Sequence, residues 1–230
     1  MKNVGFVTVM LFIVFTLFSC RKETPPTDNP EDFFIEVGNL LINDNPARLA
    51  GRITYKNEIV PIVDKETSSL LKSGSVFPEI DLTKNYAFKL KAEVDPPVYE
   101  NKTLQATHVT IKGDYAFVTY NTRGPEWLGG IEIFDVSDLK NPVIISSAIL
   151  PNTDVSAVDY ADGKIYVVGA TGDYEDLGFV SPAFMEVISL DATMAFEKVD
   201  TIIGISSFAG TDIKVAAGHI FATSGSTGGL

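Results

Sequence analysis

Few side chains in this 230-residue chain could carry acid–base or metal chemistry, because it has only two histidines and one cysteine. A metal centre normally takes several imidazole, thiolate or carboxylate ligands. In the repeat described below, His108 and Asp212 fall at the same position near the start of a strand, as do Arg52 and Ala157. This mixture favours a polar channel lining, with His108 and Asp212 as candidate binding residues. The alternative is a catalytic base or a metal ligand at His108.

Two long polar loops are the next candidates, because long loops inside a compact repeat are commonly binding loops. They span 121–129 and 170–182, and they supply the candidate binding residues Arg123, Glu126, Trp127 and Tyr174. Trp127 is the only tryptophan, and an indole beside charged groups can stack on a sugar or anchor a protein interface. The alternative is that Trp127 only packs its loop onto the strands.

The second loop also holds three carboxylates, Asp173, Glu175 and Asp176, which could form part of a calcium shell. Their spacing lacks the acids at positions 1, 3 and 5, the glycine at 6 and the glutamate at 12 of an EF-hand loop. A solvated acidic loop is therefore the favoured interpretation, and these residues are weak metal candidates. The sequence predicts no metal and no cofactor.

Composition and charge narrow the class of protein. The chain has 18 basic and 30 acidic residues, a net charge of −12, with 45% hydrophobic and 21% charged residues. These proportions are ordinary for a globular protein. The acidic balance argues against a nucleic-acid partner, since phosphate contacts need a basic surface. The sequence contains no nucleophile elbow, phosphate-binding loop or dinucleotide-binding fingerprint.

The first twenty residues have the pattern of an export signal. Lys2 precedes the uncharged run 4–18, which is shorter than the roughly 20 residues of a membrane-spanning helix. The run ends in Leu17-Phe18-Ser19-Cys20, which resembles the lipobox of bacterial lipoproteins. The resemblance implies a signal peptide over 1–19 and a lipidated Cys20 as the first mature residue. The alternative is a simple secretory signal with an incidental cysteine.

A charged, proline-rich stretch follows, and we predict a flexible tether over 20–34. In lipoprotein sorting, an aspartate after the cysteine is associated with the inner membrane, and Arg21 stands there instead. The resemblance therefore implies a lipid anchor in the bacterial outer membrane, with the domain in the periplasm or at the surface. A net-negative domain is repelled by anionic lipid, so the acyl chains would hold the protein.

The rest of the chain repeats a unit of short strands. Hairpins with tight turns are predicted around Gly113, Gly163 and Gly218, which lie 50 and 55 residues apart. A weaker copy is predicted around Asn57, because asparagine tolerates the positive φ of such turns. Further strands follow in step at 131–136, 143–150, 185–190 and 198–205, with 86–94 in the corresponding place upstream.

Four strands recurring about every fifty residues predict an all-β fold, a β-propeller of four-stranded blades. The alternative is a β-sandwich, whose turns also recur, but whose sequence has no reason to repeat at a fixed long period. About three and a third units are present, and the last stops at Leu230, where a third strand should open. We therefore expect the chain to be truncated within its final blade.

The best-preserved unit resembles the LVIVD-repeat propellers, in their bacterial surface-lipoprotein branch. It combines Ala106-Thr107-His108-Val109, Gly113-Asp114-Tyr115-Ala116-Phe117-Val118, the strand 129–136, the Asp135-Val136-Ser137-Asp138 turn and Asn141-Pro142. Residues 107–150 match well, 157–205 moderately and 53–94 poorly. The resemblance implies blades over 107–230, the last one incomplete, after a divergent segment 35–106 with a weak first blade. It implies no agreed reaction.

Two hypotheses on function follow. The first is a non-enzymatic binding module that recognises a glycan or a protein through its loops and contacts the membrane through its lipid anchor. The alternative is a hydrolase or lyase with a channel site around His108, as in some propeller enzymes. Acid–base catalysis needs paired groups with separated pKa values. Because His108 is the one histidine predicted to line the channel, such a pair is not visible in the sequence. The sequence therefore favours the binding module.

Overall fold

The structure, a computed structural model, describes residues 33–60 and 88–225, of which 63% lie in strands and 4% in helix. The prediction of an all-β fold is therefore confirmed. The strands are β1 (Ile35–Val37), β2 (Leu40–Asn43), β3 (Ile53–Val60), β4 (Phe88–Val94), β5 (Val98–Tyr99), β6 (Lys102–Thr103), β7 (Gln105–Lys112), β8 (Tyr115–Asn121), β9 (Leu128–Asp135), β10 (Val143–Pro151), β11 (Thr153–Ala161), β12 (Lys164–Thr171), β13 (Ala183–Leu190), β14 (Phe196–Gly204), β15 (Gly210–Ala216) and β16 (His219–Ser224). The helix α1 is Pro46–Ala50.

Two four-stranded antiparallel arrangements follow one another along the chain. The first meander pairs β7, β8, β9 and β10 in chain order, and the second meander pairs β11, β12, β13 and β14 in the same way. A third hairpin, β15–β16, comes next. The strands predicted at 131–136, 143–150, 185–190 and 198–205 correspond to β9, β10, β13 and β14, so these four strand predictions are confirmed.

Each of these three units opens with a hairpin closed by a two-residue turn. The turns are Gly113–Asp114, Asp162–Gly163 and Ala217–Gly218. The first turn residue has a positive φ in all three, of 58°, 51° and 51° in chain order. Gly113 therefore occupies the first turn position, whereas Gly163 and Gly218 occupy the second. The glycines mark the three turns without being equivalent residues.

A β-bulge recurs at one register position in the first strand of all three hairpins. The extra residues are Thr107, Ser156 and Thr211, and the residues that follow them are His108, Ala157 and Asp212. Bulges redirect the side chains beside them and increase the local twist. The predicted alignment of His108, Ala157 and Asp212 is therefore confirmed, because the same local distortion precedes each of them.

The hairpin predicted around Asn57 is wrong. Strand β3 runs through this position without turning and pairs with β4, a segment that begins only at Phe88. Lys56 and Asn57 form a bulge in this pairing. Because the partner strand arrives from a distant part of the chain, the backbone at Asn57 has no need to reverse. The strand predicted at 86–94 is present over Phe88–Val94.

A short N-terminal hairpin extends the sheet of the first meander. Strand β2 pairs with the outer edge of β10, with Leu41 opposite Ile149 and Asn43 opposite Ser147, and β1 pairs with β2. This sheet therefore has six strands in the order β1–β2–β10–β9–β8–β7. The sequence did not predict this edge, so the divergent segment 35–106 contributes strands to a meander that follows it.

The folded body begins before the predicted end of the tether. The guanidinium carbon of Arg48 lies 3.3 Å from the ring centroid of Phe33, and Phe34 packs edge-to-face on Tyr99 with centroids 5.8 Å apart. Residues 33 and 34 are thus anchored by ring contacts. The rest of the tether, the predicted signal peptide over 1–19 and Cys20 lie outside the described residues.

The two meanders pack face to face across the main core. Phe117 of the first stacks on Tyr160 of the second with ring centroids 4.8 Å apart, and Ile133 and Val167 are fully buried in the same cluster. The opposite face of the first meander is covered by α1, through Leu49, and by the β3–β4 pair. The third hairpin packs on the free face of the second meander. Over the described ranges the sheets do not close into a barrel or ring.

Candidate functional site

Four connections gather at one end of the stacked sheets, which we call the loop end. They are the β8–β9 loop (122–127), the β10–β11 turn at Asn152, the β12–β13 loop (172–182) and the β14–β15 link (205–209). The alternating strand directions of antiparallel meanders bring these connections to the same end. The Gly172 N–H donates to the Asn152 carbonyl at 2.8 Å, which ties two of them together. Both predicted loops therefore lie at the loop end.

Trp127 takes part in an aromatic pair that the sequence did not predict. Its indole is half-buried and lies edge-to-face to Phe208 of the β14–β15 link, with ring centroids 6.2 Å apart. A Cβ at Gly172 would lie 3.4 Å from the indole Cε3, so the ring also rests on the second loop. Phe208 is 64% exposed. Trp127 thus packs its loop and is also part of an aromatic surface that is open to solvent. The only sequence signal for Phe208 was an aromatic residue in a short link.

Arg123 and Glu126 are exposed on the same loop as Trp127. Arg123 Nε donates to Gln105 Oε1 at 2.7 Å, and Lys102 Nζ lies 2.8 Å from Glu126 Oε2. The Glu126 carboxylate raises the pKa of Lys102. A guanidinium and a carboxylate can donate to and accept from the hydroxyl or amide groups of a ligand. The first loop therefore presents an aromatic ring, a cation and an anion together.

Tyr174 and the acidic residues of the second loop bond locally. Asn152 Nδ2 donates to Asp173 Oδ1 at 3.3 Å. The Tyr174 hydroxyl donates to Glu175 Oε1 at 3.0 Å, which raises the pKa of Tyr174. Across residues 33–60 and 88–225, no group of three or more His, Cys, Asp or Glu side chains is placed to hold a metal ion. Asp173, Glu175 and Asp176 therefore form no metal cluster.

The first strands of the three units, β7, β11 and β15, are linked side by side, and we call the surface they form the inner edge. His108 Nε2 of β7 lies 4.0 Å from Asp212 Oδ1 of β15, and the Val158 N–H of β11 donates to His108 Nδ1 at 3.4 Å. Because Nδ1 accepts, the neutral ring carries its proton on Nε2, facing the carboxylate. At 4.0 Å this contact is electrostatic and not a hydrogen bond. The structure thus brings together the two predicted channel residues.

A buried aspartate ties the inner edge together. Asp159 of β11 lies 3.2 Å from Lys112 Nζ of β7 through Oδ1 and accepts from the Val215 N–H of β15 through Oδ2 at 2.8 Å. Burial alone raises the pKa of Asp159, but the backbone N–H groups of Val215 and Tyr160 and the Lys112 ammonium outweigh it. The pKa therefore falls below its usual range. Asp159 is a fixed negative charge that joins three strands.

Arg52 does not join the inner edge, contrary to its predicted alignment with His108. Its guanidinium makes a two-point contact with Glu132 of β9, in which Nη1 meets Oε1 and Nη2 lies 3.1 Å from Oε2, and it also donates to the Asp95 carbonyl. Glu132 is fully buried, and the Tyr120 hydroxyl bonds to it as well. Arg52 precedes a strand that forms no hairpin, so its position is not equivalent to that of His108.

A second buried glutamate occupies the equivalent position of the second meander. Glu132 lies opposite Val118 of β8, and Glu186 lies opposite Val167 of β12. Asn39 Nδ2 of the β1–β2 turn donates to Glu186 Oε2 at 3.2 Å, and Oε1 has no hydrogen-bond partner among the described residues. Burial raises the pKa of Glu186 to about 7. Sequence reasoning missed both glutamates, although a charged residue recurring in the middle of an apolar strand was the available signal.

Comparison with known proteins identifies no relative. No protein-family model, curated protein or solved structure matches this chain. In the part of the chain that the structure describes, no helix has the length and apolar character needed to cross a bilayer. The geometry of the loop end and of the inner edge is therefore what bears on function.

Proposed function

We propose that the protein is a binding module of the β-propeller type, held at the bacterial outer membrane by a lipid on Cys20, that recognises a glycan or a protein through its loop end. The observation that carries this proposal is the Trp127–Phe208 pair, an aromatic surface in which Phe208 is 64% exposed. Aromatic rings supply large contact area at little entropy cost and dominate the energetics of many interfaces.

The propeller architecture is supported by features that recur in successive units. These are the four-stranded meander, the two-residue turn and the bulge that precedes His108, Ala157 and Asp212. A sandwich has no physical reason to repeat a bulge at one position of successive sheets. The resemblance of 107–150 to LVIVD repeats supports the same architecture. In a propeller, the inner edge would line a central channel and the loop end would open on one face.

The groups around the aromatic pair suit a polar ligand. A sugar ring can stack its C–H face on an indole or a phenyl ring, while its hydroxyl groups bond to the charged side chains nearby. Arg123 and Glu126 lie on the loop of Trp127 and are exposed, so they can meet such hydroxyl groups. The same set of groups also fits a protein surface, in which Phe208 would fill an apolar pocket of the partner.

The first test uses Trp127 as a fluorescent reporter, because it is the only tryptophan of the chain. Titration with a panel of soluble oligosaccharides should shift or quench its emission if a glycan binds at the loop end. Phe208→Ala should weaken that binding about 30-fold, the effect of losing a hot-spot aromatic. Phe88→Ala is the matched control, because Phe88 is 65% exposed and belongs to β4.

Photocrosslinking in cells tests recognition of a protein. A photoreactive amino acid at position 208 should crosslink to one defined protein, and the same group at position 88 should not. The proposal of a binding surface at the loop end fails if no oligosaccharide changes the emission of Trp127 and no crosslink forms from position 208.

Membrane attachment is tested separately at Cys20. Fatty-acid labelling and partition into a detergent phase are expected for the native protein. Cys20→Ala should abolish both, because the thiol is the proposed site of lipidation. Incorporation of label by the alanine variant would contradict the anchor.

A second candidate function is favoured by one observation, the approach of His108 to Asp212. An imidazole beside a carboxylate is the arrangement that general acid–base catalysts use. The candidate is a hydrolase or lyase with a channel site around His108, acting on an oligosaccharide. It predicts smaller products by mass spectrometry, and their loss in His108→Asn while binding persists. An intact oligosaccharide after prolonged incubation with the native protein would exclude this activity.

A further inference from the structure

A pocket of about 420 Å3 lies on the surface beside the bulge of β3. It is lined by Lys56, Asn57, Lys91 and Lys140. Three of the four lining residues are thus lysines, in a chain whose net charge is −12. None of these residues belongs to the loop end or to the inner edge, so the pocket is separate from the surfaces described above.

The bulge explains why these side chains meet. Lys56 and Asn57 together stand opposite the single residue Lys91 of β4, because the pairs on either side are Tyr55–Ala92 and Glu58–Leu90. Lys91 Nζ donates to Asn57 Oδ1 at 3.0 Å. This bond engages the amide oxygen, so the amide nitrogen is the end of Asn57 that can donate to a ligand.

Lys140 reaches the pocket from a turn that is fixed to β3. Asp138 Oδ1 accepts from the Lys140 N–H at 2.9 Å. The Tyr55 hydroxyl of β3 donates to the Pro142 carbonyl at 3.2 Å, which holds the turn against the strand. The backbone of Lys140 is therefore already positioned beside the bulge. Such preorganisation lowers the cost of ordering the side chain when a ligand binds.

Acidic neighbours pair with only part of the lysine side chains around the pocket. Glu93 lies 2.6 Å from Lys56 Nζ, and this contact raises the pKa of Lys56. Glu93 thus pairs with Lys56, and Glu58 acts on the same lysine electrostatically. The charge of Lys140 helps to lower the pKa of Asp138, but neither the Lys140 nor the Lys91 ammonium is ion-paired within 4 Å in the part of the chain that the structure describes.

We infer that this pocket binds an oxyanion, a phosphate or sulfate group, through Lys91, Lys140 and the amide nitrogen of Asn57. Lysine ammonium groups act as point charges toward such groups, and an amide N–H adds a directional bond. A soluble phosphate ester and the headgroup phosphate of a lipid share this chemistry. The inference is independent of the loop end, so Phe208→Ala should leave oxyanion binding unchanged.

The test is a 31P NMR titration with inorganic phosphate at low salt, on the full chain carrying Cys20→Ala so that no lipid is attached. One saturable site is expected. Lys91→Gln/Lys140→Gln should weaken it at least about tenfold, because two ammonium contacts are lost. The control variant Lys198→Gln/Lys214→Gln removes the same charge from exposed lysines of β14 and β15. It should bind phosphate with the affinity of the native protein, because its pocket is unchanged. High salt should weaken binding.

Vesicles distinguish the two sources of phosphate. Sedimentation is measured with phosphatidylcholine vesicles that contain or lack phosphatidylglycerol. Binding to the anionic vesicles that is lost in Lys91→Gln/Lys140→Gln assigns the pocket to a lipid headgroup. Phosphate binding without vesicle binding assigns it to a soluble phosphorylated ligand. Absence of both, or equal binding by the two double variants, overturns the inference.

Discussion

The first and second meanders bury a glutamate at the same register position, but its surroundings differ. Glu132 of the first meander meets Arg52 with both carboxylate oxygens, and the Tyr120 hydroxyl bonds to it. Glu186 of the second meander receives one hydrogen bond, from the amide of Asn39, and burial raises its pKa to about 7. The repeat therefore keeps the acidic residue and changes its partners.

The strands around each carboxylate explain the difference. Gly169 occupies in β12 the position that Tyr120 occupies in β8. A Cβ at Gly169 would lie 1.8 Å from the carbonyl oxygen of Asp154, so the backbone of β11 fills the space that a side chain would need. The N-terminal segment supplies an arginine to the first meander but only a turn amide to the second. An arginine compensates a buried charge, whereas a single amide leaves much of the desolvation cost in place.

Removal of Arg52 should have the largest effect. Arg52→Met leaves Glu132 buried without its cation, and breaking a buried ion pair from one side costs about 3–5 kcal/mol. The free energy of unfolding in urea at neutral pH should fall by this amount. Adding Glu132→Gln should recover much of the loss, because the uncompensated charge disappears. The more exposed Lys102–Glu126 pair is the control: Lys102→Met should cost about 1 kcal/mol or less, and equal losses for the two variants would contradict the contrast.

The pH dependence of stability should distinguish Glu186 from Glu132. The folded pKa of Glu186, about 7, lies above its ordinary value of 4.5. Its contribution to stability is therefore fully present below pH 4.5 and is lost as the pH rises through 7. Between pH 4 and pH 8 the loss amounts to about 3 kcal/mol, at about 1.4 kcal/mol for each unit of pKa difference.

Glu186→Gln removes this titration, so its unfolding free energy should change less over the same range than that of the native protein. Glu197 is exposed on β14, and Glu197→Gln should keep the native profile. Urea denaturation at several pH values between 4 and 8 measures both. A native profile in Glu186→Gln would assign the pH dependence to another group.

Loss of the amide beside Glu186 should have the smallest effect. Asn39→Ala removes the one hydrogen bond of the carboxylate and should cost about 1 kcal/mol at pH 8 and less at pH 4, because the ionised form accepts the stronger bond. The control is Asn141→Ala. In the native protein the Asn141 amide donates to Asp138 in an exposed turn, and this bond holds the pKa of Asp138 below its usual range. The effect of this control should be the same at both pH values. If the effect of Asn39→Ala did not depend on pH, the amide would stabilise only the β1–β2 turn and not the Glu186 carboxylate.

The two meanders were predictable from the sequence because their signals are local. Gly113, Gly163 and Gly218 mark turns whose strands pair within a few residues, and the apolar strands that follow reappear at similar spacing. Alignment of the repeats also predicted that His108 and Asp212 share a position, and the structure has the same bulge directly before each of them. Long loops predicted where Trp127 lies, but its contact with Phe208 depends on how two successive units pack.

The N-terminal segment was not predictable because its partners are distant. Asparagine is a common turn residue, so the sequence around Asn57 predicts a turn. Only the pairing with β4 shows that β3 continues through this position. The dipeptide Gly38–Asn39 between two apolar runs was a visible hairpin signal, but nothing local shows that this hairpin joins β10. The buried glutamates were visible as a repeat, and their partners Arg52 and Asn39 come from this same segment.

The pairing of β2 with β10 also has a consequence for the expected order of folding. Leu41 pairs with Ile149, and Asn39 meets a residue 147 positions further along the chain. Contacts of such high sequence separation must overcome a large loop-closure entropy before they gain any free energy, whereas the hairpins of the meanders close over a few residues. We therefore expect the meanders to form first and to leave the edge of β10 open as a template for other chains. We expect the N-terminal hairpin to dock last and to close that edge.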